Sequence, residues 1–175
     1  YEIYYSIMDA QFDAPQTNDG EIHVRVSRDD GRPMFKQFNN VKIEEITEDS
    51  LVINVQDNDL SSYDHDLLAA AMTNKQEWFG RELADSTLEK RYSSALEGDL
   101  FSTNILKGKF RCYDHEKNVV PAEELKPGML CSVVVELKRI WFDKRNYGPD
   151  WFSVQVRLNK PPEKDHYEDY LFQDE

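Results

Sequence analysis

The stretch "MLCSVVVELKRIWF", Met129 to Phe142, alternates apolar and polar side chains with no helical period. Such a run reads as a long strand with one buried face, and Cys131, Val133, Val135 and Leu137 are its expected inward set. The alternation stumbles at Lys138-Arg139, which predicts a bulge that bends the strand. Beyond the turn "DKRNYGPD", the segment "WFSVQVRL" alternates again. Its reading puts Phe152, Val154, Val156 and Leu158 on the core face, with Trp151, Ser153, Gln155 and Arg157 on the other.

The same period recurs elsewhere. "GEIHVRVS" places Ile22, Val24 and Val26 opposite His23, Arg25 and Ser27, and "MFKQFNNVKIEEI" and "SLVINVQ" read as further strands. "KGKFRCYD" puts Lys107, Lys109, Arg111 and Tyr113 on one face, with Gly108, Phe110 and Cys112 on the other. Between these groups the period changes. Leu67, Leu68, Ala71 and Trp78 fall at helical spacings, serines or Asp64 can cap the start, and Gly80 can end the helix. Ser86 followed by Glu89 is a capping-box pattern. Helices are therefore expected near 62–80 and 86–97, inserted among strands. We find no internal repeat and no low-complexity segment.

With 175 residues and a 39% hydrophobic fraction, the chain can build one domain with a real core. The expected division is a domain over 1–160 and an acidic flexible tail over 161–175, opening on Pro161-Pro162. No run approaches a membrane span, and the start lacks a basic n-region and a cleavage site, so no membrane partner is expected. Tyr1 is not an initiator Met, which leaves open what precedes it. Cys112 and Cys131 have no CxxC spacing and read as reduced core thiols, as in a cytosolic or nuclear protein.

The net charge of −13 is unevenly distributed. Residues 1–103 hold 9 basic and 21 acidic side chains, residues 104–160 hold 11 and 7, and residues 161–175 hold 1 and 6. A locally basic segment thus lies between an acidic body and an acidic tail, and steering follows the local field. That segment also concentrates aromatics. A half-solvated antiparallel sheet often has a charged outer face, so charge alone decides nothing. Trp151 and Tyr113 among Lys and Arg instead suggest platforms on which bases stack while cations hold phosphates. The candidate interface is Lys107, Lys109, Arg111, Tyr113, Lys138, Arg139, Trp141, Lys144, Arg145, Tyr147, Trp151, Gln155 and Arg157. Trp141 is favoured as outward, while Lys144, Arg145 and Tyr147 form either a solvated tip or a phosphate-gripping loop. Trp78-Phe79 reads as an anchor holding the helix to the sheet.

Chemistry of other kinds finds no support. His65 between Asp64 and Asp66 cannot converge with them on one ion from a helix. His23, His115 and His166 lack zinc spacing. There is no phosphate loop, nucleophile elbow or dinucleotide fingerprint. No catalytic residue, metal or cofactor is expected.

Taken in order, "GEIHVRVSRDDGRPMFKQF", "YDHDLLAAAMTNKQEWFGREL", "LEKRYSSAL" and "LKPGMLCSVVVELKRIWFDKRNYGPDWFSVQVRL" resemble the single-stranded-DNA-binding proteins of large eukaryotic DNA viruses. These are distantly similar to the replication binding proteins of short-tailed coliphages. The resemblance implies an oligonucleotide-binding fold (OB-fold): a mainly β, five-stranded Greek-key barrel with a helical insertion, ending in the acidic C-terminal tail. It further implies sequence-tolerant binding of single-stranded DNA in viral replication or recombination, inside the infected cell at a cytoplasmic replication site or in the nucleus. The first half is more acidic than the resemblance leads one to expect, and the chain ends in Gln173-Asp174-Glu175, not in an aromatic. Tyr167, Tyr170 and Phe172 among the tail's acids imitate a single strand and suit competition with DNA or recruitment of replication proteins. A monomer or homodimer is expected. The alternative is an acidic protein-interaction or structural module that does not bind nucleic acid.

Overall fold

The structure of the protein, a computed structural model, describes residues 9–56 and 59–163. Its strands are β1 (Ala10–Phe12), β2 (Gln16–Asn18), β3 (Glu21–Arg28), β4 (Met34–Ile46), β5 (Ser50–Asn54), β6 (Leu96–Glu97), β7 (Leu100–Ile105), β8 (Arg111–Tyr113), β9 (Val119–Val120), β10 (Leu130–Phe142) and β11 (Tyr147–Leu158). Three helices, α1 (Leu60–Thr73), α2 (Lys75–Phe79) and α3 (Asp85–Arg91), lie between β5 and β6.

Strands β10, β4, β5, β7 and β11 pair in that order, and β11 returns to β10, closing a five-stranded barrel. Every contact in the ring is antiparallel except β7 with β11. That order, with its single parallel pair, is the OB-fold. Closure removes the open edges that a five-stranded sheet would otherwise present. Strand β3 extends the sheet along the far end of β10, and β8 lies beside the end of β11.

The alternation of β10 is as expected: Cys131, Val133, Val135 and Leu137 are fully buried. The bulge at Lys138 is also present, since Leu137 faces Trp151 while Arg139 faces Asp150. A second bulge lies in β11. Val134 faces Gln155 and Val135 faces Ser153, so Val154 is left over. This extra residue reverses the inside–outside parity of the strand's first half. Val156 is buried and Gln155 and Arg157 are exposed, as the alternation predicts. Trp151 and Ser153 instead point inward, and Phe152 takes the outer face.

The expectation of an exposed Trp151 is thereby corrected. It is 3% exposed, and its ring meets Tyr63 of α1 at 5.5 Å and Phe101 of β7 at 5.6 Å, both edge to face. Beside it the Thr103 and Ser153 hydroxyls bond to each other, and Thr103 also donates to the Leu51 carbonyl. Tyr147 is corrected likewise. It is 1% exposed, its hydroxyl donates to the Leu88 carbonyl of α3, and its ring packs edge to face on Phe79 and Tyr92.

The helices differ in detail from their expected spans. Asn74 breaks the first, and α3 stops at Arg91, because residues 96–97 pair with β7 as a strand. Neither α1 nor α3 has a side-chain cap; Ser86 lies within α3 rather than ahead of it. Asp64 is also not a cap. Its carboxylate accepts hydrogen bonds from the hydroxyls of Tyr92 and Ser94, tying α1 to the chain that re-enters the barrel. Gly80 does close α2 in the left-handed conformation. Trp78 and Phe79 anchor the insertion as expected, through edge-to-face contacts with Phe142 at 6.0 and 5.4 Å; Phe12 adds a contact to Trp78.

The corrected parity makes a pair of expected outcomes. Trp151→Ala should destabilise by about 3–5 kcal/mol, the cost of emptying a packed aromatic site. Phe152→Ala should stay within about 1 kcal/mol. Urea unfolding of the two variants checks both; equal losses would place both rings in the core.

Candidate nucleic-acid interface

Because β10 is paired on both edges, its outward residues meet those of its neighbours in rows. Gln37, Val134, Gln155 and Arg111 form one row across β4, β10, β11 and β8. Ser132, Arg157, Tyr113 and Val119 form the next, and Phe35, Glu136 and Phe152 lie on the other side of the first. Around the first two rows is a shallow groove of about 300 Å³, to which Lys117 also contributes. Further along β10, past the Lys138 bulge, lies a second groove of about 250 Å³ between β10 and β3. Arg25, Lys138 and Arg139 line it with Gln16 and His23.

Between the grooves, two aromatic rings sit on the outer face. Phe35 is 42% exposed. Phe152 is half-buried, with the Lys138 ammonium 5.5 Å and the Arg139 guanidinium 5.8 Å from its ring centre. Arg139 is held in place. Its Nε donates to Asp150 at 2.6 Å, and Asp150, nearly buried, also accepts from the Asn104 amide at 2.6 Å. A carboxylate that is satisfied on both oxygens fixes one side of the guanidinium and leaves the other free.

The expected residues divide into five groups. Arg111, Tyr113, Gln155, Arg157, Lys138, Arg139 and Trp141 share this outer face, with Trp141 half-buried opposite Gly148 and His23. Lys107 and Lys109 do not. Residues 107–109 form a turn rather than a strand, and Lys107 pairs with Glu48 at 2.6 Å, which raises the pKa of its ammonium and lowers that of the carboxylate. Lys144 and Arg145 are exposed at the hairpin tip, where the Arg145 and Asn146 amides donate to Asp143 and hold its carboxyl below the usual range. They lie apart from the rows. Tyr147 and Trp151 belong to the core. The tail residues Tyr167, Tyr170 and Phe172 lie outside the described residues.

Alternation alone missed Phe35, Gln37, Lys117, Val134 and Phe152. Phe35 and Gln37 alternate with the buried Met34 and Phe38 only through an intervening Lys36, which is drawn inward to Asp59. Their signal was present in the residue pattern of β4. Phe152 was hidden by the bulge. The outer face of β5 and β7, which OB-folds commonly use for oligonucleotides, carries Ser50, Val52, Asn54, Leu100, Ser102 and Asn104 and no cation. The basic, aromatic surface is on the β10 side instead.

Residues 39–174 match the model of a family of unknown function, DUF5871. The chain belongs to DUF5871. No curated protein matches it. Similar solved structures include the single-stranded DNA-binding protein from bacteriophage Enc34, at 12% identity over 90% of this chain and 98% of that one, with a TM-score of 0.46. Its C-terminal truncation is 12% identical over 87% and 97%, with a TM-score of 0.45. Its complex with ssDNA is 13% identical over 87% and 97%, with a TM-score of 0.41. At these values the interface of the DUF5871 chain stands on its own residues.

Among the described residues of this DUF5871 chain no cluster of His, Cys, Asp and Glu is suited to a metal ion. The two thiols are buried, which pushes Cys112 up to about 11 and Cys131 to about 12. A raised thiol stays protonated at neutral pH and is a poor nucleophile. Neither cysteine should react with a thiol reagent at pH 8 in the folded protein, and both should react once it is unfolded in urea; fast labelling of the folded chain would contradict the burial.

Proposed function

We propose that the protein binds single-stranded DNA along the outer face of β10, without catalysis and with little sequence preference. One observation carries this reading: in a protein of net charge −13, a doubly paired strand gathers Phe35, Tyr113 and Phe152 with Lys138, Arg139 and Arg157 on one continuous outer face. Aromatic rings present faces on which any base can stack, and cations beside them hold the backbone. From Ser132 to Trp141 the track is roughly 30 Å long at the usual rise per strand residue. Duplex DNA, with its bases already stacked and paired, offers nothing for the rings.

The resemblance of the sequence blocks to viral single-strand-binding proteins supports a setting in viral DNA replication or recombination within the infected cell. In this reading the acidic segment after Lys160, with Tyr167, Tyr170 and Phe172, competes with DNA for the basic face or recruits replication proteins when DNA displaces it. A tethered competitor acts at an effective concentration in the mM range for a short link.

Fluorescence anisotropy with oligo-dT and a duplex of equal length tests the core of the reading: the single strand should bind more tightly. Log affinity should fall with log salt by about 0.7 per phosphate neutralised. Phe152→Ala should cost about 1–3 kcal/mol, the worth of one stacked base. Equal or absent binding of the two DNAs would remove the reading in favour of a protein-interaction module. Deleting the residues after Lys160 should raise affinity for oligo-dT most at low salt, where screening is weakest; identical affinities across a salt series would leave the tail out of the mechanism.

A further inference from the structure

Arg25 of β3 and Arg139 of β10 stand directly opposite each other in the antiparallel pair. Like charges in that position destabilise a sheet. The bulge at Lys138 adds a third cation to the same groove. Two carboxylates reach the groove, Asp150 against Arg139 and Glu136 in the lining, and they do not balance its three cations. Asp150 engages Arg139 only through Nε, which leaves the two terminal nitrogens of the guanidinium unclaimed by that contact. Arg25 is exposed and makes no ion pair among the described residues. Glu136 lines the groove too, but its place in the row is between Phe35 and Phe152, one step along β10 from the arginines.

We propose that the groove between β3 and β10 is a preformed site for one phosphate group, held by Arg25, Lys138 and Arg139. A concave space of about 250 Å³ has all three cations in its lining, which a flat basic face does not offer. A bound phosphate relieves the repulsion between the two arginines and accepts from the outer edge of a guanidinium that Asp150 has already oriented. Phe152 adjoins the site, so a base next to the anchored phosphate lands on its ring. The proposal deepens the single-strand reading and rests on it only for the phosphate's source, which is either an internal backbone diester or the terminal monoester of a strand.

The test compares the full-length protein with Arg25→Gln, and with Lys107→Gln as a control outside the groove. Binding of oligo-dT with and without a 5′-phosphate is followed over a salt series, and thermal unfolding is followed with and without inorganic phosphate. Arg25→Gln should make the salt slope shallower by about 0.7, the contribution of one phosphate on a single strand. Lys107→Gln should leave the slope unchanged. The melting temperature of Arg25→Gln should be equal or higher in the absence of phosphate, since a repulsion is removed; a merely structural arginine would lower it. A 5′-phosphate that strengthens binding to the wild type but not to Arg25→Gln assigns a terminal monoester. An unaffected response to the 5′-phosphate, with the slope still lost, assigns an internal diester. Single-strand binding with an unchanged slope in Arg25→Gln would overturn the site and leave the reading standing. If the wild type fails to bind oligo-dT but is stabilised by inorganic phosphate through Arg25, the site survives and the reading falls. If neither binding nor stabilisation occurs, both fall.

Discussion

Strand β10 is hydrogen-bonded along both edges, to β4 and β3 on one side and to β11 on the other, and the remainder of the protein depends on that double pairing. It closes the barrel, so Cys131, Val133, Val135 and Leu137 are buried without an exposed sheet edge beside them. It also sets the outer residues of five strands into rows. A surface of this kind is rigid because most of its side chains leave a backbone paired on both edges, the bulge residue Lys138 excepted. Stacking platforms and cations positioned on it need little reordering when a ligand arrives, which lowers the entropic cost of binding.

The two bulges adapt this ring to its tasks. The one at Lys138 turns the strand toward β3 and sends an additional cation to the outside. The one at Val154 allows β11 to bury Trp151 and Ser153 in its first half and Val156 in its second while Gln155 and Arg157 stay in solvent. Each bulge leaves one residue unpaired and re-aims its neighbours. The helical insertion then covers Trp151 through Tyr63, and its Trp78 and Phe79 hold Phe142 and Tyr147 at the far end of the β10–β11 hairpin. Electrostatics follows the same division. Acidic side chains predominate in the first half of the chain and in the helices, whereas the β10 face gathers its cations from β3, β8, β10 and β11.

Much of the fold was legible because alternation with a period of two is a direct record of one buried face. Strands β4 and β10 span the residues that their alternation marked, and the Lys138 bulge showed as a stumble in that pattern. The site was less legible. A bulge at Val154 leaves no trace when every residue around it is compatible with either face, and Phe152 and Val154 are as apolar as Trp151. Trp151 was assigned to the outside on parity and Tyr147 to a turn tip on the family resemblance, but their burial depends on α1 and α3, which are distant in sequence. Lys107 and Lys109 alternate like strand residues, yet the chain turns there.

The amino-acid sequence by itself determined strands β3, β4, β5 and β10, the inward apolar set of β10, the helical block between the strand groups and the concentration of basic residues in the second half, because each of these is written in local spacing and composition. Only the tertiary structure decided which aromatic faces outward, that Arg25 lies opposite Arg139, and that Asp150 holds Arg139 beside Phe152. Those relations join residues on different strands through register. One unpaired residue shifts register by a full step, and a shift of one step moves a side chain to the other face of the sheet.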